Sequence, residues 1–203
     1  MELKLIELCV TVIVAYIIGS IPTGYIIVKA ATGQDIREIG SGSTGATNVK
    51  RVMGSKWFFI TLLLDVLKGA LPVILAKIFT TTFAGIGLLP VLASVAVILG
   101  HSKSIFLKFT GGKSVASGVG TILALNLWAG LAIGVIWAFI TYFSKYVSLG
   151  SIIALALSPF IMHYFDKHIA FTGYCIVGAV YIIWLHRSNI KRLLKGEENK
   201  VRQ

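Results

Sequence analysis

The chain has 203 residues, of which 56% are hydrophobic and only 13% are charged, and its mean hydropathy is +0.86. Soluble domains carry about 25% charged residues, so this composition excludes a cytosolic globular enzyme, a disordered chain and a coiled coil, and it is typical of a polytopic α-helical membrane protein. The charge balance is unusual for such a chain, because 19 lysines and arginines stand against 8 acidic residues and give a net charge of +11.

Apolar runs of membrane-spanning length predict the helices. In chain order they cover about 5–28, 57–77, 83–99, 115–125, 128–143, 147–165 and 169–185. Two of these runs are short, so an alternative with five spans stays open. The predicted fold class is an all-α, single-domain bundle over residues 1–203 with seven transmembrane segments, and its polar segments are 29–56, 100–114 and 186–203.

The distribution of cations predicts the orientation. With seven spans, 15 of the 19 lysines and arginines lie on one side, in the three polar segments and at Lys145. Lys4, Lys77 and Lys167 fall on the other side, and Lys68 lies inside the second span. Because cytoplasmic loops carry the excess of positive charge, we expect the N-terminus outside and the C-terminus and all three polar segments in the cytoplasm.

The first polar segment contains a glycine-rich loop. Its three glycines between positions 40 and 45 match the spacing of a dinucleotide-binding fingerprint, but residues 34–38 are not the hydrophobic strand that this motif requires. Small residues nevertheless let backbone N–H groups approach an anion closely. The hydrogen-bonding and cationic side chains beside them are Ser41, Thr47, Asn48 and Arg51. The segment predicts a phosphate-binding loop, with a plain Gly/Ser surface loop as the alternative.

The second polar segment ends in Gly111-Gly112-Lys113-Ser114. The last three residues resemble the end of a Walker A loop, but Leu107 occupies the position of the required first glycine, which argues against an ATP site. Free N–H groups at a helix start and a lysine charge both attract phosphate. We therefore predict a small-anion site here, against the alternative of a basic turn that faces lipid headgroups.

The third polar segment places His186 and Asn189 three residues apart, on one face of a helix if the last span continues. From there both side chains can point toward the other two segments. The alternative is a basic interfacial helix that anchors the tail on anionic lipid.

Two charges lie within the second predicted span. Asp65 and Lys68 are three residues apart, and charges in a membrane are usually paired or functional. A structural ion pair and a site-facing role stay open, and Lys68 is included among the candidate substrate-binding residues. No cluster of His, Cys and carboxylate residues has metal-ligand spacing, so we expect neither a protein-held metal nor a cofactor.

Five stretches of the chain together resemble one known family. They are residues 19–25, 41–51, 65–69, 100–101 with 106–113, and 186–197, and they extend over nearly the whole chain. In this order they resemble the bacterial acyl-phosphate:glycerol-3-phosphate acyltransferases, integral membrane enzymes that begin phospholipid synthesis.

This resemblance implies roles for individual residues. Ser41 and Arg51 correspond to the serine and arginine that the family's first motif needs for activity. Gly111, Gly112 and Lys113 correspond to the residues that bind glycerol phosphate. The third motif implies catalytic roles for His186 and Asn189 and a structural role for Glu197.

The chain departs from the family pattern at three places. In the first motif, Ser43-Thr44 follow Ser-Gly where the family usually has Asn-Pro. In the second, Ser104 stands near the position where the family usually has a proline, and Ser114 replaces the last glycine of the family's Gly-Gly-Lys-Gly. The change at Ser114 matters most, because it puts a side chain where the family's glycine allows a close approach of the backbone, and this bears on substrate affinity.

The function implied by the resemblance is transfer of a fatty acyl group from acyl phosphate to the 1-hydroxyl of glycerol 3-phosphate, which yields lysophosphatidic acid and inorganic phosphate. The expected setting is the bacterial plasma membrane, with a cytoplasmic site, lipid as the surroundings and no nucleic-acid partner. His186 or the departing phosphate would be the base, and Ser41 a hydrogen-bond donor rather than a nucleophile. The rival functions are an organophosphate transporter, for which Asp65, Lys68 and Pro72 are the midplane candidates, and a non-catalytic lipid-binding scaffold.

Overall fold

The computed structural model describes residues 2–79 and 87–201. Within these ranges the chain is mostly helical and has no β-strand, which confirms the all-α fold class. The α-helices of the described residues are α1 (Glu2–Ser20), α2 (Thr23–Thr32), α3 (Ala46–Met53), α4 (Ser55–Phe79), α5 (Leu88–Ser102), α6 (Val115–Leu125), α7 (Leu127–Ser144), α8 (Val147–Phe165), α9 (Ile169–Leu185) and α10 (Arg187–Leu194).

The predicted spans agree closely with the long helices. Runs 115–125, 147–165 and 169–185 have the bounds of α6, α8 and α9, and α4 and α7 extend one or two residues beyond their runs. The first run is broken into α1 and α2 at Ile21-Pro22, because proline lacks an N–H and cannot continue the hydrogen-bond ladder. Of the third run, residues 83–86 lie outside the described residues.

The polar segments are more ordered than the expected loops. Segment 29–56 contains α3 and a short 3₁₀ turn at Ile36–Glu38, and segment 186–203 contains α10. The apolar side of α3 packs Val49 against Val28 and Ile36 in a small buried cluster. Helix α3 is not among the predicted helices, because an amphipathic helix of eight residues has too few apolar positions to stand out in a hydropathy profile.

Four stretches of the described chain are long and apolar enough to cross a membrane: Leu5–Thr32, Ser55–Ile78, Leu127–Ser144 and Val147–Phe165. Helices α9 and α10 together make a fifth candidate that is bent by 62°. The remaining apolar helices, α5 and α6, are shorter. The protein is thus a multi-pass helical membrane protein with four or five spans by these criteria.

The packing also indicates a membrane exterior. Helix α4 exposes Leu63, Leu67 and Leu71 along one face, each at least 50% exposed, while Asp65 and Lys68 on the opposite face are buried. A soluble helix has the reverse arrangement. The exposed leucine stripe is therefore the side that faces lipid.

Helices α4 and α6 pack backbone against backbone. A Cβ at Gly69 would collide with the Ser117 carbonyl, and a Cβ at Gly120 would collide with the Val66 carbonyl. Small residues allow this close approach in membranes, where helices gain little from the hydrophobic effect. The contact brings the buried charges of α4 beside the start of α6.

An ion pair inside the bundle ties α4 to the break between α1 and α2. Lys68 Nζ lies 2.8 Å from Asp65 Oδ1 and donates to the Ile21 carbonyl at 2.7 Å. The Thr23 hydroxyl donates to the same carboxylate. Because the ammonium of Lys68 is used by these partners, the structure places it in the scaffold, and we remove Lys68 from the candidate substrate-binding residues.

Removal of the lysine partner should therefore destabilise the fold. Lys68→Met leaves the Asp65 carboxylate buried without its counterion, which costs about 3–5 kcal/mol. Thermal unfolding of purified protein in detergent measures the loss. Lys77→Met is the control on the same helix, because the exposed Lys77 only caps the carbonyls of Ala124 and Leu125, and it should cost about 1 kcal/mol. Equal losses in the two variants would contradict the scaffold role.

Candidate functional site

The three polar segments meet around one cavity of about 350 Å³. Its polar wall combines side chains from all three segments, which are Ser41, Thr47, Arg51, His101, Lys113, His186 and Asn189. Ser41 and Asn189, which are 148 positions apart in the sequence, both line this cavity. The third segment therefore points toward the other two, as the sequence predicted. Among residues 2–79 and 87–201, no group of three or more His, Cys, Asp or Glu side chains is arranged to hold a metal ion.

The first polar loop is organised around Asn48. Its Oδ1 accepts a hydrogen bond from the Ser41 N–H at 2.9 Å, and its Nδ2 donates to the carbonyls of Ile39 and Ser43, each at 2.9 Å. Gly40 has a φ of +63° and sits so close that a Cβ there would collide with the Asn48 amide. Asn48 was predicted to bind substrate, but its buried amide is used by the loop backbone, so we reassign it as the residue that shapes the loop.

Helix α3 presents the cation of this loop to the cavity. Thr47 and Arg51 lie one helical turn apart and both line the cavity, together with the exposed Ser41. The guanidinium offers a planar set of donors that matches a phosphate group. This part of the site therefore fits the predicted anion-binding role.

The two glycines of the second segment allow a close backbone contact. The Gly112 N–H donates to the His101 carbonyl at 3.1 Å, and a Cβ at Gly112 would collide with the His101 imidazole. A Cβ at Gly111 would collide with the His101 carbonyl. The predicted role of the Gly112 amide in phosphate binding is therefore not met, because its N–H is already used, and both glycines serve to seat the loop so that Lys113 reaches the cavity.

His101 itself is fixed from the membrane side. Its Nδ1 lies 3.0 Å from the Ser117 hydroxyl and 3.7 Å from Asp65 Oδ1. The buried pair on α4 thus supports the histidine on which the Gly111-Gly112 backbone rests. The sequence carried a signal for this in Gly100-His101, but not for its partner Ser117.

Two of the serines that depart from the family pattern are tied into the fold. Ser114 has a φ of +60°, in the left-handed region that costs an L-residue roughly 1–2 kcal/mol. Its hydroxyl donates to the Ile98 carbonyl at 2.7 Å, which offsets part of that cost. Ser104 donates in the same way to the Ser20 carbonyl at 2.6 Å, at the end of α1.

A chain of hydrogen bonds holds Lys113. Its Nζ donates to Asn189 Oδ1 at 2.5 Å, and Asn189 Nδ2 donates to Glu198 Oε1 at 2.7 Å. Burial lowers the pKa of the Lys113 ammonium to about 8, with Arg192 and Arg51 also lowering it and Glu198 opposing them. The carbonyl and amino groups of Asn189 are both engaged, so Asn189 acts in this structure as a positioning residue for the lysine.

The buried glutamate of the third segment is Glu198, whereas Glu197, to which the resemblance gives the structural role, is exposed. Besides Asn189, Glu198 accepts a hydrogen bond from Ser148 at 2.9 Å and forms a 2.7 Å ion pair with Arg192. Burial opposes its ionisation, but these three donors outweigh burial and hold the pKa of the Glu198 carboxyl below its usual range. Glu197 is exposed, because the turn at Gly196, which has a φ of +71°, directs the side chain of Glu198 inward and that of Glu197 outward.

His186 lies at the bend between α9 and α10 with a defined tautomer. Its Nδ1 is 2.8 Å from the Ile182 carbonyl, which only accepts hydrogen bonds, so Nδ1 carries the proton and Nε2 keeps a lone pair. Burial lowers the pKa of the imidazole to about 4. His186 is therefore neutral at physiological pH and can accept a hydrogen bond in the cavity.

The other end of the cavity is apolar and lies among the membrane helices. Its walls are Phe58, Leu62 and Val66 of α4, Val115 and Val119 of α6, and Gly134, Trp137 and Ala138 of α7. A single cavity thus joins a cationic, hydrogen-bonding end to an apolar end. That combination suits an amphipathic ligand with a phosphate and a hydrocarbon chain.

Comparisons with known proteins give the family. The family model for glycerol-3-phosphate acyltransferase matches residues 9–196. The chain is 45% identical over 212 residues to a glycerol-3-phosphate acyltransferase of Nostoc sp., covering 98% of this chain and 94% of the relative. It is 43% identical over 189 residues to glycerol-3-phosphate acyltransferase 2 of Moorella thermoacetica, covering 93% and 95%.

Comparison with solved structures gives the same family. Two crystal structures of PlsY (YgiH), an integral membrane glycerol 3-phosphate acyltransferase, superpose on the chain. The glycerol 3-phosphate form matches with a TM-score of 0.89 and 35% identity, and the lysophosphatidic acid form with 0.87 and 34%; each match covers 96% of this chain and 95% of that one. By sequence and by fold, therefore, the chain belongs to the glycerol-3-phosphate acyltransferase family.

Proposed function

We propose that the protein transfers a fatty acyl group from acyl phosphate to the 1-hydroxyl of glycerol 3-phosphate. The observation that carries this proposal is the single cavity, in which Arg51 and Lys113 stand at one end and membrane-facing apolar side chains at the other. The similar crystal structures in glycerol 3-phosphate and lysophosphatidic acid forms support the acceptor and the product.

The cations at one end of the cavity reduce the electrostatic repulsion between the two substrates. Both substrates carry a phosphate, and two like unit charges about 4 Å apart repel by about 4 kcal/mol at the intermediate dielectric of a protein surface. Arg51 and Lys113 line the same wall and neutralise this repulsion. Arg192 also lines the cavity, but its Nε is engaged by Glu198.

The apolar end orients the acyl donor. With the hydrocarbon chain among α4, α6 and α7, the acyl carbonyl lies at the boundary with the polar wall. The glycerol 1-hydroxyl attacks this carbon, the ester C–O bond forms, and the bond to the phosphate oxygen breaks. Since acyl phosphate is already activated, positioning and charge stabilisation supply most of the catalysis.

His186 and Ser41 complete the reacting centre. His186 Nε2 accepts a hydrogen bond from the attacking hydroxyl and orients it. Its low pKa of about 4 makes it a weak final proton acceptor, so the departing phosphate, a stronger base, takes the proton. Ser41 donates a hydrogen bond to the substrate.

The membrane arrangement belongs to the same proposal. Counting α1 with α2 as one span and adding α4 to α9 gives seven spans, with the N-terminus outside and the site on the cytoplasmic side of the bacterial plasma membrane. Aromatic–cation pairs at the site end support this, because Arg187 lies 4.5 Å from the Trp184 ring centre and Lys145 lies 4.5 Å from that of Tyr142. Aromatic belts and cytoplasmic cations mark the membrane interface.

A transporter is less well supported. Transporters bind their substrate near the midplane, on discontinuous helices. Here the midplane candidates Asp65 and Lys68 form an ion pair with each other, and Lys68 also donates to the Ile21 carbonyl. The groups left for a phosphate lie at one end of the bundle.

The first prediction of this proposal is the reaction itself. Purified protein in detergent, given palmitoyl phosphate and labelled glycerol 3-phosphate, should form lysophosphatidic acid and inorganic phosphate in equal amounts. Arg51→Ala should lower kcat/KM about tenfold or more, because it removes a charge-assisted contact to phosphate. Lys191→Ala is the control, since it removes an exposed cation of α10 that lies outside the cavity, and it should behave like the wild type. Counterflow of glycerol phosphate in vesicles without product would contradict the proposal.

The second prediction is a pH dependence set by Lys113. Its ammonium is charged below a pKa of about 8 and neutral above it, so kcat/KM for glycerol 3-phosphate should fall as the pH rises through about 8 in the free enzyme. Lys113→Arg should shift this alkaline limb upward even if its rate is lower, because a guanidinium stays charged. A wild-type profile that stays flat well above this pH would contradict the role of Lys113.

The third prediction separates the two neighbouring glutamates. Glu198→Gln should raise KM for glycerol 3-phosphate about tenfold and change kcat less. The Glu198 carboxylate holds Asn189 against Lys113, and a hydrogen bond to a charged group contributes about 1.5–3 kcal/mol. Glu197→Gln is the matched control and should leave both constants unchanged. Initial rates at varied glycerol 3-phosphate measure the split. Similar losses in both variants would show that the position of Glu198 has no special role.

A further inference from the structure

We propose that Gly134 on α7 sets the length of the acyl chain that the apolar end of the cavity accepts. This inference rests on the proposed function, since it concerns the donor of that reaction. It assigns a specificity-determining role to a residue outside the three polar segments.

Gly134 lies on the stripe of α7 that faces the cavity. Trp137 and Ala138, three and four residues further on, occupy the same helical face and also line the cavity. Gly134 precedes the last residue of α7, Ser144, by ten positions, which places it about 15 Å from that end of the helix at 1.5 Å per residue. It is thus the deepest of the cavity-lining positions on α7.

One turn deeper, no residue of α7 lines the cavity. An added Cβ at Gly130 would lie 2.6 Å from the Leu123 side chain, so α6 and α7 are in tight contact at that level. The two helices are joined through Asn126 just beyond this contact. The contact between Gly130 and Leu123 is the floor that this proposal assigns to the apolar end of the cavity.

Gly134 leaves open space immediately above that floor. An added Cβ at Gly134 would meet no atom within 4 Å. A hydrocarbon chain whose carbonyl lies at the polar wall would reach this space with its terminal carbons. A larger side chain at position 134 would occupy the same space, so the cavity would then hold a shorter chain.

The test is the chain-length profile of Gly134→Leu. Leucine favours a helix more than glycine does, and its side chain would displace the terminal methylenes of a long donor. We expect kcat/KM for palmitoyl phosphate relative to octanoyl phosphate to fall about tenfold, from the lost burial of one or two methylenes. Gly134→Ala should shift the ratio in the same direction by a smaller factor.

The matched control is Gly173→Leu. Gly173 also lies within a membrane helix, α9, and also has no atom within 4 Å of an added Cβ, but it does not line the cavity. In Gly173→Leu, the ratio of kcat/KM for palmitoyl phosphate to kcat/KM for octanoyl phosphate should equal that of the wild type. A wild-type ratio in folded Gly134→Leu, or an equal shift in Gly173→Leu, would overturn the inference.

The remaining outcomes are also decisive. If Gly134→Leu does not fold, Gly134→Ala carries the test, and an unshifted ratio in that variant overturns the inference. If the wild type forms no product from any acyl phosphate, the proposed function fails. If the wild type is active and only the ratio is unmoved, the assignment of Gly134 alone fails.

Discussion

The hydrogen bond from Lys113 to Asn189 is the contact on which the site depends. It joins the second polar segment to the third across 76 positions of sequence, and it places a cation in the cavity wall. Asn189 is held in turn by Glu198, which Ser148 of α8 and Arg192 of α10 fix in place. The lysine is therefore ready before any substrate enters, and such preorganised charge is what charge stabilisation in catalysis requires.

The membrane imposes the second constraint, because polar groups among the helices must find partners inside the protein. Asp65, Lys68 and Thr23 satisfy one another around the break between α1 and α2. The same carboxylate lies 3.7 Å from His101, against which Gly112 is packed. The charge pair that stabilises the bundle thus also supports the loop that presents Lys113.

The helices were largely predictable from the sequence, because apolar runs of fixed length leave a strong signal, and the bounds of α6, α8 and α9 follow directly from it. Most of the predicted site residues line the candidate cavity, but Lys68 does not, and the contacts of the others were less predictable. Asn48 and Gly112 belong to the motifs, but the Asn48 amide and the Gly112 N–H form hydrogen bonds within the protein. Only the three-dimensional contacts reveal this. Glu197 and Glu198 are adjacent and chemically alike, and the turn at Gly196 decides which of them faces inward. Helix α3 was missed because its apolar side has too few residues.

We propose that Glu198, through Asn189, holds Lys113 where it binds the phosphate of glycerol 3-phosphate. A double-mutant cycle on the affinity for glycerol 3-phosphate tests it most directly, using Lys113→Ala, Glu198→Gln and the two together. Glu198→Gln should weaken binding in the wild-type background and have almost no further effect once Lys113 is alanine. Additive losses in the double variant would contradict the account, because they would mean that Glu198 acts independently of Lys113.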